Sequence, residues 1–154
     1  MIEWAQELPP YLKYVVLTFV PWVELRGAVP LAVQQGEQLY MPIIFLVNWL
    51  IFFPVFFLAE WLYELFPEGS WLHRKLERIR VKAHPKVEKY GVFGLALFVG
   101  IPLPGTGAYS GSLAAWLMDM EWKRAFVGVG LGVALAFLIM WGVSEGIAAG
   151  VRLF

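Results

Sequence analysis

Two stretches of the chain, Tyr40 to Ala59 and Ala125 to Ser144, stay apolar for about 20 residues, the length of a membrane-crossing helix. Two further regions are as apolar in total but are interrupted near their middles. Tyr14 to Val33 contains Pro21, Glu24, Arg26, Gly27 and Pro30, and Phe93 to Met118 contains the run Gly100-Ile-Pro-Leu-Pro-Gly-Thr-Gly107. Neither half of either region is long enough to cross alone. Each region therefore reads as a re-entrant hairpin, or as two half-helices that meet inside the membrane. Irregular backbone is tolerated at that depth only where it is buried in protein or faces a wet cavity.

The resulting order is broken segment, spanning helix, basic connector, broken segment, spanning helix. It predicts an all-α integral membrane protein with a single membrane domain over residues 1–154, built as an inverted repeat of a re-entrant helical hairpin plus a transmembrane helix. The first repeat covers 9–64, with its hairpin at 9–36 and its helix at 40–62. The second covers 91–150, with its hairpin at 91–118 and its helix at 124–148. A cytoplasmic amphipathic basic helix within 65–90 joins them. The halves match in hydropathy and punctuation, not in residue identity. A break at the same place in each half is the sequence pointer to a transporter site near the bilayer midplane.

Charge supplies the orientation. Of the 12 Lys and Arg, seven fall between Arg74 and Lys89, and Lys123 and Arg124 precede the last helix. Loops rich in bases stay in the cytoplasm, so the expected placement is multi-pass in the cytoplasmic (inner) membrane with both termini outside. In the connector, Ser70 is the expected N-cap. Leu72, Leu76, Ile79 and Ala83 share one helical stripe, and Arg74, Arg78 and Lys82 share another. That pattern fits a helix lying on the inner leaflet, with Pro85 expected to end or kink it. The plainer reading is a solvated basic loop that only sets topology.

Composition narrows the function. The chain is 60% hydrophobic and 16% charged over 154 residues, too apolar for a soluble fold of this size to hide. The net charge of +0 argues against nucleic acid as a partner. With no cysteine, and only His73 and His84 as imidazoles, no metal site or cofactor is expected. The opening Met1-Ile-Glu-Trp-Ala-Gln-Glu is acidic where a cleavable signal would be basic, so no signal peptide is expected. No Ser/His/Asp arrangement, HExxH or paired-carboxylate pattern suggests an enzyme.

Glu24 and Arg26 are the charged residues set deep inside an apolar segment. Lys13 lies eleven residues before Glu24, which puts Glu24 roughly 16 Å into a ~30 Å hydrocarbon core. A charge there costs about 2.5–3.5 kcal/mol and by default marks a functional site. The plainer alternative is an internal ion pair that lowers the cost of burial. Residues two apart do not face each other on a helix, so pairing requires the loop that Pro21, Gly27 and Pro30 favour. In the second break, Pro102, Pro104, Gly105, Thr106 and Gly107 free backbone amides at the start of the segment from Ala108, with Thr106 as candidate N-cap. Such a half-helix start can bind an anion without a basic side chain, and Tyr109, Ser110 and Ser112 offer hydroxyls. It can equally be a sharp turn that lets a hairpin reverse.

Other residues have plainer roles. Asn48 is expected to be interhelical glue, and Glu60, Glu64 and Glu145 hydrated helix ends. Gly128, Gly132 and Ala136, then Gly142, Gly146 and Gly150, repeat at a spacing that permits close helix contact. Trp4, Trp22, Trp61, Trp71, Trp116, Trp122 and Trp141 read as interface anchors and core filling.

The string Glu24-Leu-Arg-Gly-Ala-Val-Pro30, followed by Pro102-Leu-Pro-Gly-Thr-Gly-Ala-Tyr-Ser-Gly111, resembles the prokaryotic family of small multidrug export proteins. The match in organisation runs from about Pro10 to Gly150. That family is similar to a compact form of the DedA, or VTT-domain, superfamily. The resemblance implies inverted repeats of hairpin plus helix, a DedA acidic residue falling on Glu24, and movement of lipid carriers such as undecaprenyl phosphate. The arginine motif of the second DedA hairpin has no counterpart, since Pro102 to Gly111 holds no base.

The expected function is a flippase, with an exporter and a scaffold as the alternatives. A flippase for an anionic polyprenyl phosphate would use Arg26 and the amides near Gly105 to Gly107, with Glu24 exchanging a proton. A proton-coupled exporter of hydrophobic cations would use Glu24 for both proton and cargo, with aromatic side chains for stacking. A non-transporting membrane scaffold would need neither charge. The expected partners are membrane lipids and an anionic lipid or hydrophobic small-molecule substrate. Two spanning helices and two hairpins make few walls, so a homo-oligomer, most simply a dimer, is expected.

Overall fold

The computed structural model describes residues 8–67, 69–103 and 106–153, apart from the side chains of Leu72, residues 82–89 and residues 152–153. Among these all regular structure is helical. Helix α1 (Pro10–Phe19) opens with proline in its first turn, where the missing N–H costs nothing. Pro21 follows its end, and the break occupies residues 20–23 before α2 (Glu24–Gln35) begins. The break is thus shorter than the sequence suggested, and Pro30 lies inside α2. Gly36 closes α2 in the left-handed conformation (φ 71°), with the Glu37 N–H returning 2.8 Å to the Ala32 carbonyl.

The chain doubles back over these two helices. Lys13 near the start of α1 reaches Glu37 at 2.5 Å and Gln35 at 2.6 Å, just beyond and within the end of α2. The buried Tyr14 hydroxyl also donates to Glu37 at 2.5 Å. The Lys13 and Tyr14 donors hold the Glu37 carboxyl below the ordinary carboxylate range.

A short 3₁₀ turn, Gln38–Tyr40, leads to α3 (Met41–Leu50) and α4 (Phe52–Glu64). The two part at Ile51, where the Leu50 carbonyl would need the N–H that Pro54 lacks. Together they form one apolar run, Gln38–Glu64, long enough to cross a membrane.

Ser70 caps α5 (Trp71–Gly100) as the sequence led us to expect, accepting from the His73 N–H at 3.2 Å. The kink falls at Gly91 and not at Pro85. Gly91 adopts φ 41°, ψ −128°, a conformation that only glycine reaches cheaply. Beyond it the apolar arm Tyr90–Gly100 runs to the second break at 101–107. Helix α6 (Ala108–Leu117) then doubles back, so that Tyr90 and Gly91 face Met118 across a cavity of about 310 Å³. Helix α7 (Trp122–Leu153) is the second element long and apolar enough to cross.

Helix α7 is the post against which α2 to α6 pack, while α1 packs on α2 and α3. A β-carbon on Gly132 would come within 2.7 Å of the Ala96 carbonyl and 2.5 Å of Val99, and one on Gly128 within 2.9 Å of Leu95. The first half of the small-residue stripe therefore seats α5 on α7. Gly142, Gly146 and Gly150 have open space at the same position. On the other side Trp49 stacks on Phe126 at 4.7 Å and donates to its carbonyl at 3.1 Å, with Phe52 and Phe53 around the same ring. The outside is as apolar as the inside, with Phe93 78% and Leu138 63% exposed, a surface suited to lipid and not to water.

Glu60 proves more than a hydrated helix end: it accepts from the Trp116 indole, and Arg80 approaches it at 3.9 Å. Arg80 lies between the Tyr63 and Trp116 rings and pairs with Asp119 at 3.5 Å, tying α5 to α4 and to the turn before α7. Glu145 joins Gln38 at 2.5 Å.

Two outcomes follow from this packing. Gly132→Ala should lower the thermal unfolding midpoint in detergent, costing about 1–3 kcal/mol through overpacking. Gly146→Ala, with open space, should raise it by up to about 1 kcal/mol through helix propensity. Glu37 has a depressed folded pKa, so its contribution to stability is complete above its unfolded value and is lost as pH falls through the folded one. An acid melt of Glu37→Gln should accordingly lack that part of the wild-type loss below the ordinary carboxylate range.

Candidate functional site

The two breaks meet. Arg26, in the first turn of α2, reaches across 80 residues of sequence. Its Nη1 donates to the Thr106 carbonyl, and its Nη2 donates to the Thr106 hydroxyl at 2.9 Å and to the Ile101 carbonyl at 3.3 Å. Glu24 turns the other way. Its Oε1 accepts from the Tyr109 N–H at 3.4 Å, at the free N-terminus of α6. Residues 24 and 26 also pair with each other at 3.6 Å. They do so because Glu24 has a positive φ of 45° and leaves the helical path, which lifts the rule that positions two apart cannot face.

Charge and dipole agree in this arrangement. The start of a helix carries a partial positive charge and unpaired N–H groups, and α6 receives a carboxylate there. The break after α5 exposes carbonyls, and they receive a guanidinium. The start of α6, next to the anion seat expected at Gly105 to Gly107, thus already holds a carboxylate from the protein itself, Glu24. Gly107, at φ 154°, allows the approach: a β-carbon there would overlap the Glu24 carboxylate and meet Arg26 Nη1 at 2.7 Å.

A pocket of about 310 Å³ opens beside this junction, lined by Trp22, Glu24, Arg26, Thr106, Tyr109 and Ser110 among others. Glu24 is only 4% exposed, whereas Trp22 at the rim is 92% exposed. The Tyr109 hydroxyl donates to the Phe19 carbonyl at 2.5 Å, which pins α6 to the end of α1. Ser110 donates to the Gly107 carbonyl at 3.4 Å.

Five of the sequence candidates, Glu24, Arg26, Thr106, Tyr109 and Ser110, line this pocket, and Gly107 lies directly beneath the charged pair. Others fall elsewhere. Gly27 is inside the first turn of α2, where its missing side chain makes room for Val23. Pro30 faces a separate groove against the far half of α7. Thr106 is not the N-cap of α6; Gly107 holds that position, and the Thr106 hydroxyl faces the Ile101 and Leu103 carbonyls at 2.6 and 2.9 Å. Ser112 is buried and returns its hydroxyl to the Ala108 carbonyl at 2.6 Å. Pro102 lies within the break, while Pro104 and Gly105 lie outside the described residues.

Sequence reasoning gives Asn48 only a packing role. This side chain on α3 is fully buried and lies against the Glu24 carboxyl, yet neither its Oδ1 nor its Nδ2 makes a hydrogen bond of normal geometry. A lone amide in the middle of a spanning helix was the available signal, and it was read as glue.

Comparison with known proteins gives one match. A family model described as "Putative small multi-drug export protein" covers residues 24–139, well over half of the chain, and its first matched position is Glu24. No curated protein and no solved structure matches.

The close approach at Gly107 can be checked by a double-mutant cycle. Gly107→Ala should destabilise the protein by about 1–3 kcal/mol. In a Glu24→Ala background, where the carboxylate is gone, the same change should cost much less, with a coupling of about 0.5–3 kcal/mol read from detergent melts.

Proposed function

This chain belongs to the family of small multi-drug export proteins, and from that premise we propose that it exports hydrophobic cations in exchange for protons, with Glu24 as the group that proton and cargo share. The observation that carries the reading is the placement of Glu24: a nearly buried carboxylate at the meeting point of both breaks, on the wall of an open pocket with Trp22 and Tyr109. A carboxylate among aromatic faces attracts a flat organic cation by charge and by stacking. Neutralising it with a proton removes that attraction and releases the cargo.

The pairs α1/α2 and α5-arm/α6 act in this proposal as re-entrant hairpins entering from opposite faces, halves of an inverted repeat around the pocket. The basic connector then lies in the cytoplasm, both termini lie outside the inner membrane, and a second copy supplies the remaining wall. A polyprenyl-phosphate flippase is the second reading. Arg26 favours it as the base lining the pocket. Against it, the Tyr109 N–H at the start of α6 already faces Glu24, and both terminal nitrogens of Arg26 are engaged with the second break.

Proteoliposomes carrying a pH gradient separate these readings. A cationic dye should move in wild type and slow at least tenfold in Glu24→Gln, whose amide oxygen still accepts from Tyr109 and so preserves the fold. Dye movement unchanged by Glu24→Gln would sink the exporter reading. Movement of a polyprenyl phosphate but not of the dye would establish the second reading in its place.

A further inference from the structure

Asn48 makes no sense as packing. Burying an amide with both its donor and its acceptor unpaired costs free energy that a leucine of similar size would not. It sits at 0% exposure on α3, against the Glu24 carboxyl. An amide offers a donor and an acceptor from one rotatable group. A carboxylate needs a donor, whereas a carboxylic acid presents one and needs an acceptor.

We propose that Asn48 is the positioning residue for proton exchange at Glu24: Nδ2 donates to the ionised carboxylate, and after a half-turn of the amide Oδ1 accepts from the protonated acid. The inference rests on the reading of Glu24 as the proton-exchanging group. Both states are then served inside a site where water is scarce, and neither binds Asn48 so well that the other is lost. Arg26 on its own helix and Tyr109 on α6 are the titratable groups that face Glu24 among the described residues. The acids and bases of the neighbouring helices are turned to other partners: Lys13 and Tyr14 of α1 hold Glu37, and Glu145 of α7 meets Gln38 and Trp141.

The test reads protonation directly, without relying on any cargo. Infrared titration of the purified protein in lipid vesicles follows the carboxylic-acid band that disappears in Glu24→Gln. In Asn48→Leu the band should change frequency and its titration midpoint should move by about one pH unit. Asn48→Ser, which keeps a donor and an acceptor, should move it less. The melting temperature of Asn48→Leu, read in parallel, shows that the variant still folds. A Leu variant that melts lower while its Glu24 band and midpoint stay at wild-type values would overturn the proposal and make Asn48 structural glue. A wild-type Glu24 with no titrating band would overturn it too. Dye transport failing while the Asn48-dependent band shift persists would refute the exporter reading and leave this inference standing.

Discussion

A helix broken inside a membrane leaves unpaired carbonyls at one cut end and unpaired N–H groups at the other, with no water to satisfy them. The fold depends on how the second break solves this problem. It borrows an acid and a base from the start of α2, two residues apart in sequence: the acid sits at the N–H end of α6 and the base takes the Ile101 and Thr106 carbonyls of the break. Neither charge would be tolerable alone where Glu24 is only 4% exposed, and leaving one partner of such a pair behind costs about 3–5 kcal/mol. The breaks are therefore mutually dependent. The first supplies side chains that it could not otherwise bury, and the second supplies backbone that it could not otherwise solvate.

Much of the remaining architecture delivers the two breaks to one place. Lys13, Tyr14 and Glu37 close the open end of the α1/α2 pair and so fix where its tip points. Gly128 and Gly132 let the α5 arm lie directly on α7, which fixes the second tip. The aromatic cluster around Phe126 holds α3 and α4 against the same helix and brings Asn48 alongside the junction. Gly107 then has to be glycine, because the charged pair occupies the space where its side chain would be.

The sequence disclosed the parts of this arrangement that are local. Length and hydropathy gave the two spanning helices, proline and glycine gave the existence of both breaks, and the depth of Glu24 and Arg26 marked them as the charges to explain. What it could not give are the consequences of pairing across 80 residues. The tip of the first break was drawn too wide because Pro30 looks like a breaker, although packing in a spanning bundle absorbs one missing N–H. The kink of α5 fell at Gly91 because backbone freedom outweighed the proline signal at Pro85. Position alone makes Thr106 look like a cap, yet its hydroxyl faces the Ile101 and Leu103 carbonyls within the break. Asn48 could be recognised only once Glu24 was seen beside it.

The same pairing bears on what cargo the site favours. A free helix N-terminus with an arginine nearby would be a ready phosphate site, and the sequence read by itself leads there. With Glu24 drawn onto that terminus, an incoming anion has to displace a tethered carboxylate that is always present at high local concentration. An incoming cation has to compete with Arg26, but for a carboxylate whose contacts are long, 3.4 Å to Tyr109 and 3.6 Å to Arg26, and so are cheap to trade. Arg26 would lose little in that exchange, since its other nitrogen contacts lie on the second break. On the exporter reading, then, the device that makes a broken helix tolerable also biases the pocket toward positive cargo, and a single proton on Glu24 loosens both at once.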